Sequence, residues 1–147
     1  MKYIVALVLL LSPVVASCQQ VHATLTEQKV CAAQAKKFYN EETTFAATKS
    51  ATKNEFTSHY DAGSKVCYVR INVTTIEKGE VAVSSYVFDA FEGRNFASYI
   101  WFPEKGKKFW EVKPADCQIK PINNPKIYCE STEEFEALVD KHFGLGE

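Results

Sequence analysis

The chain has 147 residues, of which 46% are hydrophobic and 13% aromatic, with 17 Lys and Arg against 18 Asp and Glu. So even a charge balance offers no electrostatic capture of nucleic acid or of an anionic lipid surface. The aromatic content suits a packed core and excludes a disordered chain.

The first segment reads as an export leader. Lys2 is followed by an apolar run from Ile4 to Val15, broken by Ser12 and Pro13, and polar Gln19 and Gln20 come soon after. That run is short of the roughly 20 apolar residues a membrane-spanning helix needs, so residues 1–17 are expected to be a secretory signal. Their removal leaves 130 residues with 16 basic and 18 acidic side chains. One domain of ordinary size is expected over 25–147, preceded by a tether over 18–24.

Thr24 and Glu27 form a candidate capping box. A helix is expected from Leu25 to Tyr39, with Cys31, Ala35 and Phe38 on one face. Asn40 to Asn54 is polar and lacks a period, and is expected to be mostly loop. From Phe56 the period changes to two. Asp61-Ala62-Gly63-Ser64 is a turn signal. Lys65 to Ile76 then alternates, with Cys67, Val69, Ile71 and Val73 on one face and Tyr68, Arg70, Asn72 and Thr74 on the other. Glu77 to Glu80 reads as a hairpin turn, Val81 to Phe91 as a strand, Glu92-Gly93-Arg94 as a turn and Asn95 to Phe102 as a returning strand.

Pro103 to Lys107 reads as a solvated turn, and two short strands are expected to hold Cys117 and Cys129. Ser131 with Glu134 is a second capping box, opening a helix from Thr132 to Phe143 that stops at Gly144. The expected fold is α+β: an N-terminal helix, an antiparallel β-meander and a C-terminal helix, with the helices covering one sheet face.

Five cysteines split into one and four. Cys18 closes the leader; Cys31, Cys67, Cys117 and Cys129 lie in the folded part. Four cysteines allow three pairings, and sequence alone leaves all three open. The assignment favoured here is Cys31–Cys67, joining the helix to a central strand, and Cys117–Cys129, closing a local loop. No CxxC, HExxH, GxSxG or phosphate-cradling glycine loop occurs, so neither a metal nor a cofactor is expected.

The remaining candidates are individual side chains. His59 and Tyr60 lie on a strand before a turn, where a histidine can act as a general base or touch a ligand, or simply hydrogen-bond locally. His142, near a helix C-terminus, reads as complementing the helix dipole. Asp89, Glu92 and Arg94 flank a turn, followed by Tyr99 and Trp101. Two carboxylates beside aromatics suggest acid–base work on a sugar-like ligand. The structural alternative has Asp89 accept turn N–H groups and Arg94 pair with a carboxylate. Lys105, Lys107 and Lys108 beside Phe109 and Trp110 mimic a nucleic-acid patch, but the acidic net charge favours a solvated hairpin with core aromatics. Asn72-Val73-Thr74 spells a glycosylation sequon and is read as accidental.

Two resemblances add to this. Val15-Ala16-Ser17-Cys18 resembles the lipobox of bacterial lipoproteins, which implies cleavage before Cys18, a diacylglycerol on its sulfur and a membrane anchor. Gln19 in place of Asp points to the outer membrane. Ordinary cleavage nearby, giving a periplasmic or secreted protein, is the alternative. The run Cys31-Ala-Ala-Gln-Ala35, His59-Tyr60, Cys67-Tyr-Val, Asp89-Ala-Phe-Glu-Gly-Arg94, Ala97-Ser-Tyr99, Trp101, Cys117 and Cys129-Glu-Ser-Thr-Glu-Glu-Phe135 resembles a group of small, uncharacterised exported bacterial proteins. That resemblance implies layout and compartment and carries no activity.

The expectation is therefore an extracytoplasmic binding or interaction module of the cell envelope, with His59, Tyr60, Asp89, Glu92, Arg94, Tyr99 and Trp101 as candidate ligand contacts. Its partner would be an envelope protein or glycan. A small hydrolase using His59 or the Asp89/Glu92 pair, and a purely structural envelope protein, are the alternatives.

Overall fold

The alternating segment that begins at Val66 is the hub on which the other elements assemble. The computed structural model describes residues 22–46 and 51–146; the leader, Cys18 and most of the tether lie outside these. Helix α1 (Leu25–Ala46) is followed by strands β1 (Ala51–Asp61), β2 (Val66–Glu77), β3 (Glu80–Asp89), β4 (Asn95–Trp101), β5 (Asp116–Ile119) and β6 (Ile127–Tyr128), and by helix α2 (Thr132–Phe143). The strands pair antiparallel in sequence order, forming one six-stranded meander. The protein is thus α+β, with an N-terminal helix, a meander and a C-terminal helix.

Both helix starts follow their side chains. Glu27 accepts from the Thr24 N–H at 2.8 Å, and the Thr24 hydroxyl accepts from the Glu27 N–H. At α2 the Ser131 hydroxyl accepts from the Glu134 N–H, while the Glu134 carboxylate reaches the Glu130 N–H. Gly144 ends α2 in the left-handed conformation, φ 62°, where a Cβ is unfavourable. Lys78 and Gly79 both have positive φ, as the tight β2–β3 hairpin requires.

Three expectations need correction. First, the polar stretch after Tyr39 is not mostly loop: α1 runs on to Ala46, and β1 begins at Ala51. At the start of the extension Asn40, Glu41 and Glu42 are exposed, and Lys37 pairs with Glu41 one turn apart, so these residues carry no apolar period. β1 is drawn out by its partner, since Ala51 to Glu55 pair with Ile76 to Asn72 of the long β2. Second, the helices cover opposite sheet faces. Cys67, Val69 and Ile71 pack with Cys31, Ala35 and Phe38 of α1, whereas Tyr68, Val87, Tyr99 and Ile119 pack with Phe135, Val139 and Phe143 of α2. Consecutive strand residues point to opposite faces, so Cys67 and Tyr68 belong to different layers. An irregularity in the β3–β4 register, between Val87 and Phe88, lets the neighbours Phe96 and Ala97 both join the α2-side core. Third, Phe109 and Trp110 are not core aromatics. They sit on a short 3-10 turn, Phe109–Glu111, with Trp110 75% exposed. Cys129 lies just past the end of β6.

The two favoured cysteine pairings are present. Cys31–Cys67 joins α1 to β2 with Cα atoms 5.4 Å apart, and Cys117–Cys129 spans 5.1 Å. Two such bridges fit an oxidising, extracytoplasmic setting. No described helix is long and apolar enough to cross a membrane.

On the α2 side, Arg70 is 3% exposed. Its guanidinium pairs with both Glu136 carboxylate oxygens, one of them at 2.7 Å, and donates to the Leu145 carbonyl. Its Nε faces the Ser85 hydroxyl and the Asn72 amide oxygen, and the group lies over the Phe135 ring at 5.9 Å. Ser85 and Asn72 would keep their own hydrogen bond, but Arg70→Ala should take this partner from Glu136 and the Leu145 carbonyl and destabilise the fold by about 3 kcal/mol, measurable by urea unfolding. A loss within experimental error would show that the network is dispensable.

His142 lies in the last turn of α2, as its dipole-complementing reading expects, but the fold does not favour its charge. Desolvation, followed by the neighbouring Lys141, holds its pKa below the ordinary 6.5, so the folded state favours the neutral ring. The unfolded chain then binds the extra proton first as pH falls. Stability from this group is present above about pH 6.5 and declines below it. The slope of unfolding free energy with pH between 7 and 5 should flatten in His142→Gln, and an unchanged slope would refute the assignment.

Candidate functional site

The residues singled out in the sequence do not converge. His59 and Tyr60, adjacent on the edge strand β1, point to opposite faces. His59 is exposed on the α2 side, beside Gly144, where an added Cβ would come within 3.1 Å of its Nε2. Tyr60 turns toward α1, its hydroxyl 3.5 Å from Glu27. The Glu27 carboxyl is held below its usual range, chiefly by hydrogen bonds from Thr24. His59 pairs across the sheet with Tyr68, and Tyr68 with Asp89. The buried Tyr68 therefore stands between the histidine and the carboxylate.

Asp89 serves its own turn: one carboxylate oxygen accepts from the Phe91 and Glu92 N–H groups, and its carbonyl accepts from the Gly93 N–H. Glu92 and Arg94 form an exposed ion pair, and the Arg94 guanidinium lies 5.4 Å over the Phe96 ring. Tyr99 and Trp101 are buried in the α2-side core. The Tyr99 hydroxyl is 2.7 Å from that of Thr132, and the Trp101 indole N–H donates to the Val112 carbonyl at 3.1 Å. Burial raises the Tyr99 pKa, consistent with a neutral phenol inside the core. Among these seven residues, no acid–base pair is assembled.

His59 and Tyr60 line an open pocket of about 580 Å³ together with His22, Gln28 and Asp61; a larger groove lies elsewhere, and follows from where the helices end. On its face, α1 packs over β1 and β2 and reaches only the end of β3, through the Phe38–Phe88 ring contact and a hydrogen bond from Gln34 to the Ala90 carbonyl. Beyond that, the same face continues across Ala82, Ser84 and Tyr86 of β3 and Ser98 and Ile100 of β4. Among the described residues no helix covers this half. A groove of about 650 Å³ runs over it, lined by Thr75, Ala82, Ser84, Tyr86, Ile100 and Phe102, with Lys78, Glu80 and Pro103 among its remaining residues. Phe102 is 55% exposed.

Farther along the face, the Ser98 hydroxyl donates to Asp116, and Gln118 donates to both carboxylate oxygens of Asp116. The Gln118 amide oxygen is buried without a partner among the described groups. The surface thus combines aromatic rings and an aliphatic side chain with hydroxyls, a mixture suited to contact with a partner's apolar face or sugar ring. Sequence reasoning missed it because Tyr86, Ile100 and Phe102 follow the same period as core residues. No described group of three or more His, Cys, Asp or Glu residues is placed to hold a metal.

No protein-family model, curated protein or solved structure matches the chain.

Within the Asp89–Arg94 turn, two substitutions should behave differently. Asp89→Ala leaves two turn N–H groups without their acceptor and should cost about 1–2 kcal/mol. Arg94→Gln breaks only an exposed pair and should leave the urea midpoint unchanged. Equal effects on the midpoint would contradict this division of roles.

Proposed function

We propose that the chain is an extracytoplasmic binding module of the cell envelope that docks an envelope protein or glycan on the uncovered half of its sheet. The observation behind this reading is the aromatic and hydroxyl surface of Tyr86, Ile100, Phe102, Ser84 and Thr75, which no described helix covers. Natural sheets seldom leave such a face open unless something lies on it. A membrane attachment completes the proposal: cleavage before Cys18 and lipid on its sulfur would hold the module at an envelope membrane, with the outer membrane favoured by Gln19. Two or more acyl chains make such an anchor stable, whereas a single chain is marginal. The disulfides support the oxidising compartment this requires.

Both halves of the proposal have direct tests. Affinity capture from a native envelope extract should recover a partner protein or glycan with the unmodified chain and lose it with the double variant Tyr86→Ala/Phe102→Ala. The polar exposed surface of β1, tested by Thr57→Ala, should leave capture intact. Capture that survives the double variant would reject the surface. Mass spectrometry of the processed chain should find an N-terminal Cys18 carrying diacylglycerol, and an unmodified Cys18 or a start beyond it would reject the anchor.

A further inference from the structure

One edge of the sheet is long, regular and open. β1 has 11 residues, no proline, and unbroken register with β2. Short strands, prolines and bulges are the usual protection of an edge, because its free N–H and C=O groups template another strand. The directions of these groups follow from β2. The Cys67 carbonyl accepts from the Ala90 N–H, so the Cys67 backbone turns away from β1. Its partner Tyr60 therefore turns its own N–H and C=O away from β2. Alternation along the strand sets the Ser58 and Phe56 backbones outward as well. The Tyr39 hydroxyl reaches the Asn54 carbonyl at 3.1 Å on the same outer side. Among the described residues, no backbone group pairs with Phe56, Ser58 or Tyr60 on that side.

α1 leaves this edge clear. The Cys31–Cys67 bridge, the bond from Gln34 to the Ala90 carbonyl and the Phe38–Phe88 contact draw the helix toward β2 and β3. The pocket of about 580 Å³ lies along the edge, with Gln28 and Ala32 of α1 on one side and Ser58 and Tyr60 of β1 on the other.

We propose that β1 pairs antiparallel with β1 of a second copy of the chain, across a two-fold axis at Thr57, joining the two sheets into one. The register follows from backbone direction and charge. Outward residues must face outward residues. With Thr57 opposite itself, Phe56 faces Ser58 of the second copy and Asn54 faces Tyr60, and each pair exchanges N–H and C=O groups. The odd-numbered side chains stand on the α2-side face, where Glu55, Thr57 and His59 are exposed. They fall in the non-hydrogen-bonded pairs, whose side chains lie closer together. There Glu55 faces His59 of the second copy and Lys53 faces Asp61. Symmetry makes each contact twice, and Thr57 meets Thr57, a favourable cross-strand pair.

Neighbouring registers lack this match. A slide of two residues one way sets Lys53 opposite His59. The same slide the other way sets Glu55 opposite Asp61, two like charges. Within one chain Lys53 and Glu55 form an exposed ion pair, and exchanging such a pair for the contacts between copies costs little. The self-complementary order of charges is what favours a second copy over an unrelated strand. An edge contact is small, so the dimer belongs at the weak end of specific interfaces, in the micromolar range. None of these residues lines the uncovered half of the sheet, so this edge and the docking surface can fail independently.

The test is sedimentation of the processed chain carrying Cys18→Ser, from about 5 µM to about 1 mM. A monomer–dimer equilibrium is expected. Ser58→Pro removes an outward N–H while sparing the bonds to β2, and should weaken the dimer by about tenfold or more. Glu55→Lys opposes charge in both symmetric pairs and should weaken it by about tenfold, and Glu55→Lys/His59→Glu should restore it. Thr57→Cys should link two copies by a disulfide under mild oxidation, because opposed Cα atoms in such a pair lie about 4.5 Å apart. Glu55→Cys should not. The cysteine variants are the readout if Ser58→Pro does not fold. A monomer throughout the range, a dimer indifferent to both Ser58→Pro and Glu55→Lys, or linkage through Glu55→Cys in place of Thr57→Cys would overturn the proposal. So would a monomer whose Phe56 and Ser58 amides resist hydrogen exchange, which would mean that another segment of the chain covers the edge.

Discussion

An arginine buried in the middle of the second strand is the constraint around which the α2 layer is arranged. The Arg70 guanidinium is a fork of five donors, and its burial is tolerable only with those donors satisfied. Glu136 from α2, the Leu145 carbonyl from the tail, Ser85 from β3 and Asn72 from its own strand meet that demand. The result fixes the position and rotation of α2 more narrowly than apolar packing alone, because a slide of one turn would leave the charge without its partner. Three residues earlier on the same strand, Cys67 bonds to Cys31 and ties α1 to the other face. Both layers are therefore anchored within a single short stretch of β2, on alternating side chains.

That placement explains the open surface. With α1 tied to the β1–β2 side of one face and α2 packed over β4 and β5 on the other, each helix covers a different half of the sheet. The half left beside α2 carries the polar, exposed Glu55, Thr57 and His59 of β1, which water solvates at no cost. The half left beside α1 carries Tyr86, Ile100 and Phe102. The asymmetry leaves the more apolar half, the docking surface proposed above, without a described helix over it.

How far the chain could be read from its residues varied with the kind of signal. Local chemistry was legible. Ser131, the run to Phe143 and Gly144 mark α2 residue by residue, since capping and the left-handed stop act within a few positions. The alternation from Val66 through β4 is likewise local, and the meander follows from short turns. Reading failed where a distant neighbour sets the outcome. Asn40 to Ala46 has weak helix signals and is helical as a continuation of α1. Ala51 to Glu55 has weak strand signals and is a strand because β2 extends beyond Phe56's partner. Tyr99 and Trp101 resemble ligand contacts in sequence, but α2 and the Val112 carbonyl enclose them. Phe109 and Trp110 resemble core and are left outside by the 3-10 turn.

The residues by themselves determined the class of the fold, the meander order, the three helix boundaries set by caps and a stop, and a cysteine set whose favoured pairing the structure contains. These rest on interactions between neighbours in the chain, where type and spacing are sufficient. The tertiary structure alone decided that the helices lie on opposite faces, that Arg70 is buried and paired, that Asp89 serves its turn, and that the His142 Nε2 is buried without a partner among the described residues. Each of these depends on which side of the sheet a helix returns to. That choice is governed by burial and charge satisfaction between segments as far as 75 residues apart, such as Arg70 and Leu145, and no local pattern encodes it.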